Sequence, residues 1–290
     1  MSARTQQSTV GQKLPAHVLA LLDDATSNDE EAAKAYNPDE ERGEDGRWGS
    51  GGGDKLAGSE YPKGELPKWL SPEHMREDVK EAIETHPRSP EEQAKQIAIV
   101  SDFMKNSTPA IRCSDSVLQK ILADGQFKNG SQVGSNRMGG NLAAQRKAAE
   151  ADKLGIPEGT RFANRPIYGY MENPDAPVGL EKIYGNVIVE LKSDILDRAT
   201  VTWGDSLTNS WVGVPAQAAL AGDPRLPVDA FINPASTQTQ PDPYMEIQPL
   251  RTKTSDIARV RFTTDQPSPE LSASLEKAGI SWYYQPKQSG

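Results

Sequence analysis

The chain is poor in the side chains that most enzymes recruit for nucleophilic or metal chemistry. One cysteine, Cys113, in 290 residues excludes an intramolecular disulfide framework and any multi-Cys zinc site. The three histidines, His17, His74 and His86, all precede residue 90. A dyad with Cys113 is therefore not expected, and there is no HExxH pair to hold a metal. Cys113 reads as a buried small hydrophobe, and His74 and His86 as solvent-facing helix residues. No apolar run approaches the ~18 residues of a spanning helix, and the polar start, Met1 to Gln12, lacks a signal-peptide core. A GxxxxGK[ST] loop is missing, and no glycine cluster sits between a strand and a helix as a dinucleotide fingerprint requires.

What is abundant is acid, and it is unevenly placed. Residues 22–60 hold twelve Asp/Glu against four Lys/Arg, a net of −8 in a chain whose total is −9. The remaining 61–290 are near balance at −3, with no basic stripe of the kind that tracks a phosphate backbone. The acidic stretch is also rich in Gly, Ser and Pro and ends in Gly49-Ser-Gly-Gly-Gly53. Such a segment buries too little apolar surface to offset its ordering entropy, so a tether is expected over 23–66, behind a short amphipathic helix or arm over 1–22. A helical segment over 67–106 and a main domain over 107–290 follow.

Helix starts are marked by Ser-Pro pairs, Ser providing the N-cap and Pro the first helical position. Ser71-Pro72 predicts a helix to about Thr85, Ser89-Pro90 a second with Ile97, Ile99, Val100, Phe103 and Met104 on its apolar face, and Ser268-Pro269 a third over 268–279. A short strand Ala110–Cys113 precedes a helix with Val117, Leu118, Ile121 and Leu122 inward, stopped by Gly125. A further helix is read over 141–153, ended by Gly155. The second half is rich in short β-prone runs: 161–171, 184–191, 199–203, 244–250, 257–263 and 280–284. Helices ahead of strands, without regular alternation, predict an α+β fold.

Four features carry chemistry. Arg112 is a lone cation in an apolar strand, its planar fork suited to phosphate or carboxylate if it faces a cleft, and otherwise a structural ion pair. Arg165-Pro-Ile-Tyr168-Gly169 combines a fixed backbone with a position that permits close approach. In Arg198-Ala-Thr-Val-Thr202-Trp-Gly-Asp205-Ser206, Thr200 and Thr202 share one strand face and Gly-Asp-Ser forms a turn able to present a hydroxyl. In Tyr244-Met-Glu246-Ile-Gln248, residues 244, 246 and 248 point one way while Met245 and Ile247 point to the core. Each pattern is equally that of ordinary turns or a solvated sheet face.

Taken in order, these pieces resemble the ADP-ribosyltransferase superfamily. The resemblance lies in Ile111-Arg112-Cys113 with its following helix and Gly125-Gln-Phe127, and in Tyr244-Met-Glu246-Ile-Gln248 followed by Ser255-Asp-Ile-Ala-Arg-Val-Arg-Phe262. The middle blocks RPIYG, YGNVIVELK and RATVTWGDS look like an uncharacterised bacterial and phage family related to these transferases. The similarity covers about residues 105–285. It implies a split mixed β-sheet, NAD as substrate without a metal, Glu246 as the catalytic carboxylate, and Arg112 holding the NAD phosphates or adenosine ribose, with Arg165 as a second possibility. It also implies that Thr202 or Ser206 braces Glu246 or the nicotinamide ribose, and that Tyr168 or Tyr244 stacks on the nicotinamide.

The chain departs from that pattern where the family often has Gln or Glu two residues before the catalytic Glu. Here that position is Tyr244, and Gln248 follows instead. A Ser-Thr-Ser strand is replaced by Ser236-Thr237-Gln238-Thr239 in an expected loop. The linker Asn37-Pro-Asp-Glu-Glu-Arg-Gly-Glu-Asp-Gly-Arg-Trp48-Gly-Ser-Gly-Gly-Gly53 is similar to tethers of tailed-phage head-morphogenesis proteins. It implies a phage origin, work in the host cytoplasm or packaging in the virion, and contact with head or portal proteins. The expected function is NAD-dependent mono-ADP-ribosylation of a host protein or other macromolecule. The alternatives are a non-enzymatic virion protein with a degenerate transferase fold, and an NAD glycohydrolase.

Overall fold

Strands in the second half alternate apolar and polar residues, so pairing them in register builds one apolar and one polar face. The computed structural model describes residues 67–286 apart from 72, 131, 133–138, 158, 176–183, 208–211 and 233–243. The expected helix over 1–22, the tether over 23–66 and the Ser236–Thr239 run lie outside the described residues. Eight strands form one hydrogen-bonded sheet in the order β5-β4-β6-β2-β1-β3-β7-β8. They are β1 (Thr108–Cys113), β2 (Gly169–Glu172), β3 (Val187–Leu191), β4 (Ala199–Trp203), β5 (Val214–Pro215), β6 (Met245–Pro249), β7 (Ile257–Phe262) and β8 (Trp282–Tyr284). Only β7 and β8 run parallel; the other pairs are antiparallel. The fold is α+β with a mixed sheet.

Register decides which residues share a face. Ala110 pairs with Tyr170, Tyr170 with Glu246, and Glu246 with Thr202. Directly opposed residues point to the same side, so one face carries Thr200, Thr202, Glu246, Gln248, Tyr170 and Arg112. The other carries Val201, Ile247, Met171, Ile111, Val189 and Val260, all in the main core. Helices cover that apolar face: α1 (Glu77–Thr85), α2 (Pro90–Lys105), α3 (Asp115–Asp124), α5 (Ala216–Ala221), α6 (Val228–Phe231) and α7 (Pro269–Lys277). Helix α4 (Gly139–Leu154) instead sends Arg146, Glu150 and Lys153 to the polar face, as described below.

Two of the Ser-Pro starts behave as expected. Ser89 accepts from Glu92 N–H while Glu92 reaches back to Ser89, a reciprocal capping box. Ser268 caps α7 through Leu271 N–H. The Ser71 start is corrected. A single turn closes from Ser71 to buried Met75, the chain is extended at Arg76, and α1 begins only at Glu77. Val117 is also corrected: Leu118 and Ile121 centre the buried stripe of α3, and Val117 is 43% exposed at its edge. The 161–171 run is a 3-10 turn, Phe162–Asn164, before the four-residue β2. Cys113 is buried in the core, and desolvation with Asp115 nearby pushes its thiol up to about 12, so it holds no reactive thiolate.

Gly169 opens β2 where β1 approaches closely. A β-carbon there would lie 2.3 Å from the Ala110 carbonyl oxygen, a backbone atom that cannot step aside. Gly169→Ala is expected to cost about 1–3 kcal/mol through overpacking. Urea unfolding checks this; an unchanged midpoint would show that the β1–β2 spacing is not tight.

Candidate functional site

The polar face is not a solvated one. Glu246 and Gln248 are 4% and 1% exposed, in a strand whose both sides are buried. Around them β4 and β6 build a closed hydrogen-bond set. Thr200 Oγ1 donates to Gln248 Oε1 at 2.9 Å, and Gln248 Nε2 donates to Thr202 Oγ1 at 2.9 Å and to Glu246 Oε2 at 3.2 Å. The Thr202 hydroxyl donates onward to Gly204 O at 3.1 Å. Past Gly204 the Gly-Asp-Ser turn folds back over β6, and the Ser206 backbone N–H donates to Glu246 Oε2 at 2.8 Å.

Helix α4 clamps that turn. Arg146, Glu150 and Lys153 lie at spacings of four and three, one face of a helix. Arg146 Nη1 donates to Ser206 Oγ at 3.0 Å and Lys153 Nζ to Ser206 O at 2.5 Å. The Arg146 guanidinium also lies 4.1 Å from the Tyr168 ring centroid, a cation–π contact. Tyr168 donates its hydroxyl to Glu150 Oε1 at 2.7 Å, and the other Glu150 oxygen is bound by Arg165.

The electrostatics follow from burial. Desolvation, with the Asp205 carboxylate adding, pushes Glu246 up to about 7, while Arg146 and the Ser206 hydrogen bond pull it back. Burial alone would lower Arg146; Tyr168 and the carboxylates of Glu246, Asp205 and Glu150 outweigh it and raise it. Lys153 is lowered by burial and by the cations Arg76 and Arg146. Tyr244 is raised by burial and by Glu246, and Tyr184 by burial and Asp205.

Arg112, 9% exposed, projects from the same face as Glu246. Strand β2 lies between their strands, so two strand spacings, about 10 Å, separate them across the sheet, and Arg112 lies two residues further along β1 than Ala110, which is level with Glu246. Between them stands Tyr170 in a small apolar patch with Ala110 and Ile188, against which Tyr244 packs. Arg112 Nη1 donates to Gly185 O at 3.3 Å. The structure thus brings Arg112, Tyr244, Glu246, Gln248, Thr202, Tyr168 and the Ser206 turn to one side of the sheet. Arg165 is used differently: it is 3% exposed, ion-paired to Glu150, and donates to Thr160 O and Pro157 O. It anchors the segment before β2 rather than opening toward a ligand. Sequence reasoning missed Arg146, Glu150 and Lys153, whose stripe reads as a solvated helix face. Among the described residues no group of three His, Cys, Asp or Glu could hold a metal, and no helix is long and apolar enough to cross a membrane.

Comparison with known proteins adds one relationship. The chain is 27% identical over 183 residues to the "Gene 2 protein" of Mycobacterium phage L5, spanning 57% of this chain and 68% of that protein. A phage origin is supported. No family model matches the sequence.

Two stability outcomes test this geometry. Removing one partner of the buried Arg165–Glu150 pair strands a charge; Arg165→Met is expected to cost about 3 kcal/mol or more, and Arg165→Met with Glu150→Leu less than that. Urea denaturation of the single and double variants decides it. Glu246 has a folded-state pKa above the unfolded 4.5. The folded state therefore binds the extra proton, and stability falls as pH rises from about 4.5 to about 7. Glu246→Gln should then gain stability over wild type, the gain being larger at pH 8 than at pH 5 by on the order of 2 kcal/mol. An equal gain at both pH values would contradict the raised value.

Proposed function

We propose that the domain is an NAD-dependent mono-ADP-ribosyltransferase that modifies a macromolecule of the phage host. The observation that carries this reading is the placement of Arg112 and Glu246 on one sheet face, with a buried carboxylate among hydroxyl, amide and aromatic groups. Cleavage of the bond between ribose C1′ and the nicotinamide nitrogen leaves positive charge on the sugar; nicotinamide departs with the bonding pair, and C1′ passes to a nucleophile of the acceptor. A carboxylate beside that ribose accepts a hydrogen bond from a sugar hydroxyl and stabilises the developing cation, as in glycoside cleavage. Glu246 is the group placed for this. Arg112 supplies a guanidinium for the phosphates, and Tyr244 an aromatic face. The Tyr168 ring already carries Arg146, so Tyr244 is the better candidate for ring stacking.

A carboxylate must be ionised to act this way. With Glu246 titrating near 7, the rate is expected to rise with pH through neutrality. The linker's likeness to head-morphogenesis tethers favours packaging in the virion as a route of delivery, compatible with enzymatic action.

The test is incubation of the purified chain with labelled NAD and host lysate, scoring label transfer and nicotinamide release. Transfer is expected for wild type, and Glu246→Gln should lower it by about 10²–10³-fold with a cooperative thermal transition no lower than that of wild type. Release without labelling would make the protein a glycohydrolase. No release under conditions where NAD binds would reject the enzymatic reading and leave the non-enzymatic virion role.

A further inference from the structure

Gln248 lies two residues from Glu246 on the same face, in a place where a cofactor contact would be expected. Its hydrogen bonds exclude that use. The amide oxygen accepts from Thr200, and the two amide hydrogens go to Thr202 Oγ1 and Glu246 Oε2. At 1% exposure nothing of the amide remains for a ligand. Its orientation is also locked. Thr202 gives its own hydroxyl hydrogen to Gly204 O, so toward Gln248 it can only accept, and the amide must present nitrogen on that side. A flipped amide would face its oxygen to the Glu246 carboxylate.

Two donors to Glu246, Ser206 N–H and Gln248 Nε2, converge on one oxygen, Oε2. The Ser206 side chain is a further hydrogen-bond partner of the carboxylate. We propose that Gln248, oriented by Thr200 and Thr202, is a positioning residue that holds Oε2 of Glu246 and so sets the orientation of the carboxylate toward the ribose of the substrate. The assignment to a ribose rests on the transferase reading; the positioning of the carboxylate does not. A donor fixed on Oε2 favours the charged carboxylate against the burial and the Asp205 charge that oppose it. The other groups facing Glu246 are Arg146 from α4, whose charge also favours ionisation, and Tyr244 ahead of β6. Lys153 from α4, Tyr168 ahead of β2 and Tyr184 ahead of β3 share an electrostatic influence with it.

The experiment is a side-chain carboxyl titration by NMR on protein labelled with ¹³C-glutamate, the Glu246 signal being the one lost in Glu246→Gln. Gln248→Met keeps the length and removes the donor. It is expected to move the Glu246 midpoint upward by about one pH unit, the scale of one hydrogen bond to a charged acceptor. Gln248→Glu, which turns the donor into an acceptor, should move it further, and Thr202→Ser, which keeps the acceptor, should leave it in place. A midpoint unmoved in Gln248→Met would overturn the proposal. If the protein cleaves NAD, the acid limb of kcat should shift with the midpoint while KM for NAD stays constant; a raised KM with an unmoved limb would make Gln248 a cofactor contact and also overturn it. A protein that does not cleave NAD but shows the shifted midpoint rejects the transferase reading alone and leaves the positioning of Glu246 standing.

Discussion

Most of the site's design follows from one constraint: a carboxylate placed on a sheet strand and buried at 4% exposure. Removing a charged carboxylate from water is costly unless donors replace the solvent. Here the Ser206 backbone N–H and the Gln248 amide do so on Oε2, with the Ser206 side chain as a further partner. The turn that supplies the first donor is itself held from α4 by two cations, and the amide that supplies the second is held by two threonines of β4. The apolar face of the same strands, packed under six helices, keeps β4 and β6 in register so that these donors converge.

The compensation is incomplete, since Glu246 remains raised to about 7 with Asp205 opposing its charge. A group that destabilises the ionised folded state near neutral pH is a familiar mark of a functional position. The contrast with Glu190 is instructive. That carboxylate is equally buried, yet two arginines of β7, Arg259 and Arg261, and the Tyr283 hydroxyl surround it. It knits β3, β7 and β8 together. Glu246 faces one guanidinium, from α4, and is otherwise held by the Ser206 turn and the Gln248 amide. The two acidic residues occupy the same sheet face in different roles, and the number of guanidinium partners separates them.

Much of the fold was legible in the residues themselves. Ser89-Pro90 and Ser268-Pro269 begin helices because Ser accepts from the first turn and Pro needs no N–H partner. Ser71 failed as a start because burial of Met75 and the extended Arg76 interrupt the helix, a tertiary effect that no local pattern contains. Strand alternation placed Thr200 with Thr202 and Glu246 with Gln248, and the pairing of their strands puts both pairs on one side. It could not reveal what covers that face. The stripe Arg146, Glu150 and Lys153 has the composition of a solvated helix surface, and only the docking of α4 against the Ser206 turn, Tyr168 and Arg165 turns it inward. Arg165 shows the converse: a cation in a suggestive motif that tertiary structure commits to Glu150.

The most direct measurement of the central claim is a crystal structure with a non-hydrolysable NAD analogue. The account predicts the nicotinamide ribose within hydrogen-bond distance of the Glu246 carboxylate and the phosphates toward Arg112, on the face that carries Tyr170 and Tyr244. Binding of the analogue elsewhere, for instance in the shallow groove between Lys68, His74 and Arg225, with Glu246 untouched, would contradict it.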